Sequence, residues 1–130
     1  MAKILIADDD AHIARVMSIW LTRHGHQAIC VSNGKKALEL IKSQPVDMVI
    51  SDMNMPELDG LGFIKALRQF AGDRLPVIVL SARCDQQELM DALSSYGVTV
   101  YPKPFLPSYM VTEIHRLLEN AALARMEGVS

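Results

Sequence analysis

The side chains best equipped for chemistry are three carboxylates near the start, Asp8, Asp9 and Asp10, then Asp52, Ser81 and Lys103. All follow short apolar runs: Ile4-Leu5-Ile6-Ala7 before Asp8, Val46 to Ile50 before Asp52, Val77 to Leu80 before Ser81, and Val98 to Tyr101 before Lys103. A carboxylate at the end of a buried strand is costly to desolvate unless a cation or a chemical task compensates it. Several carboxylates gathered at one spot repel one another. A divalent cation relieves that repulsion, and Mg²⁺ suits the set because it takes few carboxylates and completes its shell with water and phosphate oxygens. Zinc would call for His or Cys, which these run ends lack. Asp9 and Asp52 are then the expected ligands, with a backbone carbonyl just past Asp52 as a third. A metal alone leaves Ser81 and Lys103 without a task, whereas a phosphoryl group accounts for both. Its oxygens need the metal, the Lys103 ammonium, the Ser81 hydroxyl and the Ala82 N–H, while the Asp52 carboxylate attacks in line. The product is an aspartyl phosphate.

These residues must be brought together by the elements between them. Strand-like runs at Lys3 to Asp8, Gln27 to Val31, Val46 to Asp52, Pro76 to Leu80 and Val98 to Tyr101 alternate with helical periods. Ile13, Val16, Met17, Trp20 and Leu21 form a helix stripe that Gly25 stops. Ser32-Asn33-Gly34 predicts a cap for the helix through Leu38 and Ile41. Gly60 to Phe70 predicts a third helix opened by Asp59-Gly60. Asp85 resembles the cap of a fourth through Leu89, Met90 and Leu93, ended by Gly97. The last helix runs from Pro107, and the tail after Leu123 is expected to fray. Five strands alternating with five helices predict a parallel sheet covered on both faces by right-handed crossovers. All strand carboxyl ends then share one edge, where open sheets of this kind bind ligands. The apolar run at residues 76–80 is expected in or next to the centre of the sheet.

The chain has 130 residues, half of them hydrophobic and 22% charged, which is the composition of one globular domain. Its formal net charge of −2 lacks the basic stripe of a nucleic-acid binder. No apolar run reaches membrane-spanning length, and a strand begins almost at once, leaving no room for a signal peptide. Cys30 and Cys84 have no metal-type spacing and read as a reduced pair, which points to the cytoplasm. The histidines at 12, 24, 26 and 115 read as solvated.

Ile6-Ala7-Asp8-Asp9, Ser51-Asp52-Met53-Asn54-Met55-Pro56-Glu57-Leu58-Asp59-Gly60, Leu80-Ser81-Ala82 and Lys103-Pro104-Phe105 together resemble the receiver domain of two-component response regulators. The single-domain chemotaxis regulator is similar in size. Each fragment alone is weak, but four in the right order are specific. The resemblance assigns residues 1–124 to a receiver domain and 125–130 to a frayed tail. It implies a doubly wound, flavodoxin-like α/β fold with five parallel strands in the order 2-1-3-4-5. It also implies Asp52 as phosphoacceptor, Asp8 and Asp9 as the acidic pair, Asn54 as the donor of a backbone carbonyl to Mg²⁺, Ser81 as switch hydroxyl, Ala82 as the small residue giving access, and Lys103 as phosphate ligand through a cis Lys103–Pro104 peptide. The implied partners are a histidine kinase or histidine phosphotransfer protein and a downstream target protein, with a homodimer among the allowed assemblies and no catalytic turnover beyond self-phosphorylation and self-dephosphorylation.

One departure concerns the aromatic usually three residues before the lysine. That position is Val100, and Tyr101 lies two before. Either a deletion preserves Tyr101 as the switch, or Val100 occupies the place and the aromatic toggle is absent. Plainer roles exist for each residue. Asp10 is expected to cap the first helix, Asp52 could close an Asx turn, and Ser81 and Lys103 could be ordinary surface groups. A metal-dependent phosphatase of the haloacid dehalogenase type also uses a carboxylate nucleophile in an α/β sheet, but it needs a second Asp where Asn54 stands. A degenerate receiver that only binds partners is the third reading, opposed by the retained acidic pair and lysine.

Overall fold

The computed structural model describes residues 2–53, 60–72, 74–82 and 87–126, without the side chains of Leu89 and Arg125. Strands β1 (Lys3–Ala7), β2 (Gln27–Val31), β3 (Met48–Asp52), β4 (Val77–Ser81) and β5 (Thr99–Pro102) alternate with helices α1 (Ala11–Arg23), α2 (Gly34–Ser43), α3 (Gly60–Ala71), α4 (Gln87–Ser95) and α5 (Pro107–Met126). The sheet is wholly parallel in the order β2-β1-β3-β4-β5, as the resemblance implies. β3 and β4 are buried along their whole length, consistent with their unbroken apolar sequences. β4 sits next to the central β3, where its composition places it.

Side chains alternate across this sheet and build two separate cores. One contains Ile4, Ile6, Ile50, Ile78, Leu80 and Tyr101 under α1 and α5, closed by Met17, Leu21, Met110 and Ile114. The other contains Leu5, Ala7, Val49, Val77 and Val79 under α2, α3 and α4, closed by Ala37, Ile41, Phe63, Ile64, Leu67 and Leu93. Helix ends follow local chemistry. The Asp10 carboxylate accepts from the backbone N–H of His12 and Ile13 at 3.0 and 3.3 Å, and the Asn33 side-chain amide oxygen caps α2 by accepting from Lys36 N–H. Gly25 and Gly97 stop α1 and α4 at φ 84° and 69°, a conformation that glycine adopts without a Cβ penalty.

Arg68 is 8% exposed on the inner face of α3. It donates to the carbonyls of Gly72 and Leu75 just past its own helix, and to those of Tyr96 and Gly97 at the end of α4. The side chain thus fastens two helix ends to one another through main-chain carbonyls that lie past the last turns of α3 and α4.

Some expectations need correction. The third strand starts at Met48 rather than Val46: pairing with β1 begins with Met48 opposite Ile4, and Lys3 N–H is taken by the Asp47 carboxylate instead of a strand carbonyl. α5 runs to Met126, past Leu123 and into the expected tail, since Ala121, Ala122 and Ala124 are strong helix formers. The histidines are not all simply solvated: His26 is partly buried and hydrogen-bonded to His115. Asn54, Asp59, Cys84 and Asp85 lie outside the described residues.

Candidate functional site

The carboxyl ends of β1, β3, β4 and β5 meet at one edge. Asp8 follows β1 and is held by its own N–H bond to Val31 O at the end of β2. Asp52 ends β3 and Ser81 ends β4, and both are buried. Lys103 follows β5, its N–H bonded to Ser81 O at 3.0 Å, and the Lys103–Pro104 peptide is cis. The Lys103 ammonium reaches across β4 to donate to Asp52 Oδ1 at 2.8 Å, and it lies 3.7 Å from Asp8 Oδ2. Ser81 is 1% exposed beside this pair, whereas Ala82 is exposed.

Carboxylate oxygens of Asp8, Asp9 and Asp52 lie within 4.8 Å of one another. Asp8 Oδ1 accepts from Asp10 N–H at 2.9 Å, but the buried Oδ2 has no hydrogen-bond donor among the described residues. An orphaned, buried carboxylate oxygen facing two other carboxylates is the donor set of a hard cation, and an all-oxygen site of this kind fits Mg²⁺. Burial raises the Asp8 carboxyl above its ordinary value. The Asp10 N–H opposes that, the Asp52 charge adds to it, and Lys103 again opposes. For Lys103, burial works against the charged form. Its bond to Asp52 and the charges of Asp8, Asp52 and Asp10 outweigh burial and hold the ammonium above the usual lysine range. The site is thus a set of mutually compensating charges, short of one cation.

Because its Oδ2 lacks a donor and faces like charge, Asp8→Asn is expected to stabilise the metal-free protein. The gain should be about 1–2 kcal/mol, the penalty of a buried unsatisfied acceptor. Urea denaturation without Mg²⁺ checks the sign, and Mg²⁺ affinity should fall in the same variant.

The structure gathers Asp8, Asp9, Asp52, Ser81 and Lys103 as their order predicts, and it gives Asp10 the capping role. Asn54, the expected carbonyl donor, lies outside the described residues. Tyr101 and Val100 occupy opposite faces of β5. Val100 packs in the core under α2, α3 and α4. Tyr101, 6% exposed, lies under α1 and α5, and its hydroxyl donates to Glu113 at 2.6 Å. Arg116 donates both to Glu113 and to that hydroxyl. Burial, then the Glu113 bond, push the phenol up to about 12.

Gly60 has a larger part than opening a helix. A Cβ there would sit 2.8 Å from the Cα and carbonyl oxygen of Met53 and 2.9 Å from Asp52 O, so α3 starts directly against the backbone that carries Asp52. Gly60 N–H also bonds Met53 O at 2.9 Å. The Asp59-Gly60 pair in the sequence signals a turn but not this close approach. Gly60→Ala is expected to cost about 1–3 kcal/mol, as overpacking does, and to slow any reaction at Asp52. Thermal melts together with a rate measurement test both halves.

Comparison with known proteins points in one direction. A family model described as the response regulator receiver domain matches residues 4–115. The transcriptional regulatory protein KdpE of Mycobacterium tuberculosis is 34% identical over 128 residues, covering 98% of this chain and 56% of that protein. The chain spans about half the length of the curated relatives it matches. Among solved structures, the receiver domain of the Francisella response regulator 1452 is 31% identical with a TM-score of 0.84, covering 92% of this chain and 98% of that one. The chemotaxis response regulator CheY4 of Vibrio cholerae is 28% identical with a TM-score of 0.82, covering 90% and 98%.

Proposed function

The chain belongs to the response regulator receiver domain family, and from that premise we propose that Asp52 accepts a phosphoryl group and thereby operates a signalling switch. In this family a kinase acts upstream and an effector downstream. The observation that carries the proposal is the convergence of Asp8, Asp9, Asp52 and Lys103 from three strand ends.

A phosphohistidine of a histidine kinase or phosphotransfer protein supplies the group. An Asp52 carboxylate oxygen attacks phosphorus as the P–N bond breaks, and the departing imidazole nitrogen keeps the electron pair and takes a proton. Asp8, Asp9 and Asp52, with the Asn54 carbonyl, would hold Mg²⁺, which when bound supplies positive charge beside the crowded carboxylates and the phosphoryl oxygens. Lys103 sits on the nucleophile and needs only a short shift to stay paired with the aspartyl phosphate. The Ser81 hydroxyl and the Ala82 N–H are the remaining donors, and exposure of Ala82 leaves the approach open.

Gripping the product draws Ser81 toward Asp52. Ser81 is paired in register with Pro102, next to Tyr101, so movement of the β4 end reaches β5. In this reading Tyr101 passes it on to α5 through Glu113 and Arg116, biasing a two-state surface. The docking face is formed by α4, β5 and α5 with Tyr96, Tyr101 and Tyr109, and it takes a downstream target protein or a second copy of the chain. The proposed location is the cytoplasm; no helix among the described residues is long and apolar enough to cross a membrane. Receiver domains are generally not enzymes, and the family match does not favour the phosphatase reading.

Intact-mass measurement after incubation with acetyl phosphate and Mg²⁺ tests the proposal. One added phosphoryl group is expected. No addition, or sustained hydrolysis of small phosphoesters at enzyme rates, would overturn it.

A further inference from the structure

Three histidines meet at the opposite end of the sheet from Asp52. His24 follows α1, His26 precedes β2 and His115 lies on α5. The two ring nitrogens His26 Nε2 and His115 Nε2 are 2.8 Å apart, a hydrogen-bond distance. The proton between them can be assigned from a third contact. The backbone N–H of Ala2 donates to His26 Nδ1 at 3.1 Å, and an amide N–H can only donate. His26 Nδ1 therefore keeps its lone pair, its proton sits on Nε2, and His115 Nε2 accepts it. His115 in turn carries its proton on Nδ1. Each ring has one workable tautomer, and both are neutral.

This arrangement has no room for a further proton. Protonating His26 would set an Nδ1–H against the Ala2 N–H; protonating His115 would set two Nε2–H groups head to head. Either event breaks a hydrogen bond that ties β1, β2 and α5 together. The groups around the pair are mixed in sign. His24 stands edge-on to His115, and its own Nδ1 lies 2.8 Å from Trp20 O. Asp47 and Glu119 line the same cavity as His26 and His115. Asp47 accepts from Lys3 N–H, the Lys3 ammonium is turned to Gln44, and Arg116 is engaged by Glu113. Burial, then the charges of His115, the N-terminus and His24, lower the His26 pKa.

We propose that His26 and His115 form a proton-operated clasp, closed at neutral pH, that holds α5 against the edge of the sheet formed by β1 and β2 and opens under mild acid. The clasp goes beyond the phosphorylation site and does not depend on it. The sign follows from linkage. The unfolded chain binds a proton near the ordinary histidine value of 6.5, whereas the folded chain resists it. The contribution is therefore present above that value and is lost as pH falls through the lower folded value.

Urea denaturation at pH 7.5 and 5.5 tests this on the wild type and on His26→Gln, whose amide can accept from Ala2 and donate to His115 without titrating. The wild-type folding constant should fall by up to about tenfold more than that of the variant, the limit set by measuring one unit below the unfolded value. Long-range ¹H–¹⁵N NMR of the wild type at pH 7.5 should show the proton of His26 on Nε2 and that of His115 on Nδ1. Equal losses in the two proteins, or a proton on His26 Nδ1, would overturn the clasp. So would stabilisation by micromolar Zn²⁺ that disappears in His26→Gln, since this would make the pair a metal site.

Discussion

Asp52→Asn is expected to remove all uptake of a phosphoryl group while leaving the fold intact. Asparagine has nearly the same shape, and its Oδ1 can still accept from the Lys103 ammonium, which donates to Asp52 at 2.8 Å. What disappears is the anionic oxygen that forms the bond to phosphorus in the proposed switch, since an amide oxygen does not make a stable ester there. Losing the charge also removes one of three crowded carboxylates, so the variant should be no less stable than the wild type. Intact mass after acetyl phosphate and Mg²⁺ should show no adduct, alongside an unchanged circular dichroism spectrum. A variant that still gains the mass of one phosphoryl group would place the acceptor elsewhere, with Asp8 and Asp9 the next residues to substitute.

Arg68→Ala is expected to cost the most stability of any single change at a charged residue, about 3–5 kcal/mol, since several buried carbonyl acceptors lose their donor together at about 1–3 kcal/mol each. Arg68 is 8% exposed, and its guanidinium donates to four carbonyls from two helix ends. Truncation leaves those carbonyls facing a cavity, each a buried acceptor without its donor. Lysine cannot replace it, because one ammonium cannot span the carbonyls after α3 and those after α4 together. Arg68→Lys should therefore recover only part of the loss. Urea denaturation monitored through the single Trp20 measures both variants. Hydrogen exchange should show the loss concentrated at the end of α4, where Tyr96 and Gly97 lose their donor. A loss below about 1 kcal/mol would place Arg68 among ordinary surface residues.

The chemical site is largely legible in the sequence because each of its members closes an apolar run. A parallel sheet converts that one-dimensional regularity into a shared edge. Asp10 and Asn33 are legible as caps for a similar reason, since a cap acts on backbone two or three residues away. Arg68 is not legible. Its partners are main-chain carbonyls, which every residue carries, and they come from segments distant in sequence. Its position next to Leu67 on the stripe of Ile64 is the only hint that it faces inward. The histidine pair is hidden for the same reason: residues 26 and 115 are 89 positions apart, and only the crossing of α5 over the sheet edge unites them. The choice between Val100 and Tyr101 lies between these extremes. Adjacent strand residues must face opposite ways, but which way each one faces depends on the register with β4.

The sheet divides the interior into two compartments that share no side chain among the described residues. Damage by a cavity on one side therefore has no packed route to the other, and paired substitutions across the partition should simply sum. Such a molecule can be altered beneath α1 and α5 without rewriting what lies beneath α2, α3 and α4. Its sequence is free to drift at two independent rates, with the strand ends as the common ground neither side can change alone.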